Sequence, residues 1–84
     1  MLVRDETISH GGREYRIMAD AGENYVLVES FSAGKKLAKY HVTYETAFEY
    51  ARKGEGNAID ALMHVAKSDI LLGNLSEVKK ALSE

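Results

Sequence analysis

Three histidines, His10, His41 and His64, are the side chains best suited to carrying a proton or a metal near neutral pH. They fall in a turn, a strand and a helix. None has the His-x-x-x-His spacing that puts two imidazoles on one helical face. No acid stands four positions after His64 to complete a helical ligand pair. Hydrolysis needs a nucleophile, a base and an orienting acid that converge in space. Ser30, Ser32, His41 and Glu29 are the set that adjacent strand ends can bring together, but no nucleophile motif frames either serine. Gly54-Glu55-Gly56 opens like a G-x-G-x-x-G, yet Ile59 holds the third glycine position and the segment follows a helix. A phosphate-binding turn needs strand, turn and helix in that order, to aim helix amides at the pyrophosphate. With no cysteine in the chain, thiolate chemistry and disulfides are excluded. The sequence therefore predicts no catalytic, cofactor-binding or metal-binding residues, and a protein that is not an enzyme.

Binding chemistry is better supplied. Between Phe31 and Tyr44 lie Lys35, Lys36, Lys39 and His41 with no acid among them, and Arg13 and Arg16 come from the strand region before them. A basic, partly aromatic sheet face holds single-stranded nucleic acid by setting cations on phosphates and stacking rings on bases. Arg16, Lys36, Lys39 and His41 are the residues that would do so here. A second supply is apolar. Leu27, Phe31, Leu37 and Met18 are expected on or near the sheet face away from the helices, where grouped apolar side chains mark a protein partner or a self-interface.

Hydrophobic periodicity gives the elements that must position these residues. Gly11-Gly12 is a two-residue hairpin signal, joining a strand at Glu6–His10 to one at Arg13–Ala19. In the latter, Tyr15, Ile17 and Ala19 share a face. After the turn Asp20–Asn24, the run Tyr25–Phe31 reads as a middle strand partly buried on both faces. Ser32-Ala33-Gly34-Lys35 makes another tight connection. Lys36–Val42 then alternates, with Ala38, Tyr40 and Val42 opposite Leu37, Lys39 and His41.

At Thr43 the period changes from two to 3.6. Thr43 is the expected N-cap of a helix whose stripe is Tyr44, Ala47, Phe48 and Ala51, closed by Gly54. Asn57 with Asp60 forms a near capping box for a second helix, about Ala58 to Leu72, with stripe Ile59, Leu62, Ala66 and Ile70 widened by Met63 and Val65. Asn74 and Glu77 cap a short third helix carrying Leu75, Val78 and Leu82. The predicted fold is α+β in one domain spanning 1–84. An antiparallel meander of three or four strands (about 6–42) precedes two or three helices (about 44–83) packed on one sheet face.

Composition sets the bounds. A chain of 84 residues buries roughly 60–65% of its unfolded surface, enough for a thin core. The net charge of −2 and pI near 5.9 give no global attraction to nucleic acid or anionic lipid. Met1–Ser9 has no signal-peptide pattern, and no apolar run is long enough to cross a bilayer, so a cytoplasmic location without membrane attachment is expected.

The order of elements, strands before helices, is similar to that of single-strand-binding transcription cofactors and purine-rich-element binders, although no motif of theirs falls on these residues. Tyr15–Lys53 also resembles HicB-like antitoxins in placing short strands before a helix rich in Glu and Ala, and lacks their proline-bearing strand end. The function expected from the residues is a small non-enzymatic interaction module, a regulator, inhibitor or subunit, that binds a protein partner or a second copy of itself. Its binding residues are expected to be Leu27, Phe31, Leu37, Lys36, Lys39, His41 and Arg16. Single-stranded nucleic-acid binding through the basic sheet face is the alternative.

Overall fold

Gly11 and Gly12 adopt φ of +59° and +79°, the pair of positive values that a type I′ turn needs to match the twist of its flanking strands. They join β1 (Leu2–His10) to β2 (Arg13–Ala21). The Gly22 N–H donates to the Tyr25 carbonyl at 2.9 Å across the next turn, leading into β3 (Tyr25–Ser32). The third turn sets Ala33 and Gly34 at φ +54° and +77°, and β4 (Lys35–Thr43) follows. This computed structural model describes residues 1–73. The strands form one antiparallel sheet in the order β1-β2-β3-β4.

The first strand is longer than its sequence suggests. Arg4, Asp5 and Glu6 read as solvated charges, but each finds an ionic partner. Arg4 pairs with Asp60, Asp5 with Arg16, and Glu6 with Lys67. A register shift lies between Leu2 and Arg4, and beyond it Ile8 faces Tyr15 and is half-buried on the core side.

Alternation decides what each sheet face carries. Tyr15, Ile17 and Ala19 of β2 and Val26 and Val28 of β3 point one way and are buried with Met63, Ala66 and Ile70. Those three belong to α2 (Ala58–Leu71), which lies on this face. Ser30 is fully buried on the same face, and its hydroxyl has no hydrogen-bond partner among the described residues. Small side chains at Ala19, Ser30 and Ala66 allow a helix to approach a sheet closely.

Both helices start where their caps predict. The Thr43 hydroxyl accepts from Thr46 N–H at 3.2 Å to open α1 (Tyr44–Arg52). The Asn57 side chain accepts from Ile59 and Asp60 N–H at 2.8 and 3.3 Å to open α2. Only half of the expected capping box forms, because Asp60 turns to Arg4 instead. On α2, Met63 is at the centre of the buried stripe and Val65 faces outward, 42% exposed. Among the described residues, the expected packing of the α1 stripe does not occur. None of its residues is buried; Ala47 and Tyr50 are half-buried while Phe48 points to solvent. The expected third helix falls outside the described residues.

The fold is therefore α+β, a four-stranded antiparallel meander followed by two helices. No helix among the described residues is long and apolar enough to cross a membrane.

Candidate functional site

The sheet face opposite α2 is the one that the meander leaves open, and strand register fixes its contents row by row. Thr7, Arg16, Phe31 and Lys36 form one row across the four strands. Asp5, Met18, Glu29 and Lys39 form the next, and Asp20, Leu27 and His41 the third. Met18 thus sits diagonally between Leu27 and Phe31, within reach of both across one strand boundary. All three are half-buried and make an apolar strip along the middle of the face.

Two of the cations that border this strip are paired with carboxylates of the same face. Arg16 donates two bonds to Asp5, Nε to Oδ1 at 2.8 Å and Nη2 to Oδ2 at 2.6 Å. The guanidinium beside Asp5 holds that carboxyl below the usual carboxylate range, chiefly through these hydrogen bonds, and Arg16 is correspondingly raised. On the other flank, Lys36 Nζ lies 2.5 Å from Glu29, and Lys39 faces Glu29 across the β3–β4 register. His41 packs edge-on to Tyr25, with ring centroids 6.0 Å apart and planes at 75°.

One end of the strip opens into a hollow of about 590 Å³ beside the Ala33-Gly34 turn, with Phe31 and Met18 among its walls and Arg13, Glu14, Arg16 and Ser32 around them. Arg13 is held there by its neighbours. Its Nη2 donates to Ser32 Oγ at 3.1 Å, and its guanidinium carbon lies 5.4 Å from the centroid of the Tyr15 ring. Ser32 in turn donates to the Glu14 carbonyl at 3.1 Å, so the hydroxyl links β2 to β3 at this end.

Six of the seven residues expected to bind a partner belong to this face: Leu27, Phe31, Lys36, Lys39, His41 and Arg16. Leu37 does not. The register slips between Ser30 and Phe31, so that Ser30 faces Ala38 while Phe31 faces Lys36. Leu37 is the extra residue of this bulge, and it packs with Ala38 against the core cluster under α2. Its assignment to the open face is corrected on that ground.

The residues of the hydrolytic set are not brought together. Ser30 and Ser32 belong to the buried side of β3, whereas Glu29 lies on the open face with His41. No group of three or more His, Asp or Glu side chains able to hold a metal occurs among the described residues. Sequence reading placed Met18 on this face without counting it among the binding residues, and it missed the two carboxylates that pair with Arg16 and Lys36. Those carboxylates come from neighbouring strands, which register alone reveals. Among known proteins, no family model, no curated protein and no solved structure matches the chain.

Proposed function

We propose that this chain is a small non-enzymatic interaction module whose open sheet face receives an apolar side chain of a protein partner. The observation that carries this reading is the pairing of the two cations nearest the apolar strip. Arg16 and Lys36, the cations nearest Phe31, already hold carboxylates of their own sheet. A phosphate arriving at either position would have to displace one. An apolar group arriving at Met18 and Phe31 displaces only water, and protein interfaces combine such an apolar centre with a polar rim. The hollow is within the roughly 300–1,000 Å³ range of sites that enclose a compact ligand or anchor. Arg13 and Glu14 at its edge can orient the backbone of whatever enters.

The test is affinity capture with the tagged protein, run with and without nuclease and across salt concentrations. A partner retained after nuclease and at high salt, and lost at least about tenfold by Phe31→Glu, supports this reading, since anchors at interface centres are worth about 2 kcal/mol or more. Lys36→Glu and Lys39→Glu are expected to matter less. Capture that vanishes with nuclease, weakens linearly in log[salt] and fails in the lysine variants sinks it in favour of nucleic acid. Leu37→Glu is not a usable probe, because it would place a charge against the core.

A further inference from the structure

We propose that the partner segment received by the hollow carries an acidic side chain next to its apolar anchor, and that Arg13 takes the carboxylate. The proposal rests on the reading of the open face given above and names the chemistry of the segment that enters.

Arg4, Arg16 and Arg52 each hold a carboxylate, those of Asp60, Asp5 and Glu49. Arg13, the remaining arginine of the chain, holds none among the described residues. It is fixed in place all the same. Its Nη2 donates to Ser32 Oγ at 3.1 Å, and its guanidinium carbon lies over the Tyr15 ring. Both supports are buried, Ser32 with 5% exposure and Tyr15 with 2%. Ser32 is tied further by its own bond to the Glu14 carbonyl. A guanidinium carries five N–H donors, and the bond to Ser32 uses one of them. Holding this long side chain before its acceptor arrives removes part of the entropy that an ion pair otherwise costs.

The place of Arg13 says what the carboxylate is attached to. Arg13 lines the same hollow as Met18 and Phe31, so an anion bound there has an apolar wall beside it. A hydrated inorganic anion gains nothing from that wall. A carboxylate one residue away from an apolar side chain uses both. Arg16, the other guanidinium of the hollow, is already occupied by Asp5. Glu14 is among the walls too, and its charge opposes a doubly charged phosphate more than a single carboxylate. Terminal carboxylates are captured by runs of backbone amides, whereas arginines recognise acidic motifs. The acid is therefore assigned to a side chain of the partner.

The experiment follows the amide signals of the isotope-labelled full chain during titration with blocked dipeptides. Acetyl-Leu-Asp-amide and acetyl-Asp-Leu-amide are compared with their asparagine counterparts from about 0.1 to 20 mM, the range of weak single-anchor binding. The amides of Phe31, Ala33 and Gly34 are expected to shift. Half-saturation should come at a concentration at least about threefold lower for one aspartyl peptide than for its asparagine counterpart, in the range of exposed ion pairs. Arg13→Gln should keep the shifts and remove the difference. Equal half-saturation by aspartyl and asparaginyl peptides overturns the proposal and leaves the apolar reading standing, as does a difference that survives Arg13→Gln. Peptides that move none of these amides overturn the apolar reading and the proposal with it. So does an acetyl-Gly-Asp-amide that binds as well as the leucyl peptide. A phosphoseryl peptide that binds tighter than the aspartyl one overturns the assignment of a carboxylate. The aspartyl–asparaginyl comparison is made on the wild-type chain, so it decides the matter even if Arg13→Gln fails to fold.

Discussion

Tyr40 is the residue whose ionisation the fold controls most. It stands on the α2 side of β4 and donates its hydroxyl to the Asp69 carboxylate. Burial, then that hydrogen bond and the carboxylate's charge, push the phenol up to about 12 from an ordinary value of 10.0. The unfolded chain therefore releases this proton near pH 10 and the folded chain two units later. The stability that Tyr40 contributes is complete below pH 10 and is lost as pH rises towards 12. Denaturant midpoints measured across this window should fall more steeply for wild type than for Tyr40→Phe. Parallel curves would show that the hydroxyl is not coupled to folding. Asp5 has the opposite sign: its lowered value favours the folded state above the carboxylate range and is lost on acidification. Being an exposed pair with Arg16, it adds little at neutral pH.

At the scale of elements, turns and caps were the legible part. Gly-Gly announces a hairpin because two consecutive positive φ angles suit few other pairs, and Thr43 and Asn57 announce helices because their side chains satisfy free amides. Three things were not legible. The bulge at Leu37 breaks alternation by one residue, which a period-two pattern cannot distinguish from a change of face. Charges at Arg4, Asp5 and Glu6 concealed the first half of β1, since their partners lie on β2 and α2. The stripe of α1 was read as core-facing because periodicity shows that one side is apolar, not what meets it. The third turn adds a prediction of its own. Ala33 occupies a left-handed φ of +54°, which costs an L-residue with a Cβ about 1 kcal/mol. Ala33→Gly should retain the register and raise the thermal midpoint by a few degrees, as about 1 kcal/mol does in a domain of this size. An unchanged or lower midpoint would mean that the turn is not strained.

Seen whole, the candidate site was half legible. The faces of β2 and β3 followed from alternation, so Leu27 and Phe31 were placed correctly. The basic character of the face was overstated, because a linear reading of Lys35 to His41 counts cations but not the acids that register sets beside them. Asp5 is eleven positions from Arg16 in sequence, yet its carboxylate lies within hydrogen-bond distance of that guanidinium. The placement of α2 also bears on how the molecule moves. Its ionic contacts to β1 come through Asp60 and Lys67, and its contact to β4 through Asp69. These strands are the two outer edges of the sheet, separated by β2 and β3 and sharing no hydrogen bond with each other. A single helix thus fastens both margins, so they cannot loosen independently. Amide exchange followed residue by residue should show β1 and β4 opening with one common free energy, and Lys67→Ala, which removes an ion pair to β1, should speed exchange in β4 as well. Faster exchange confined to β1 would mean that the margins open separately. In this respect the sheet behaves like a hinged screen whose two outer leaves share one latch.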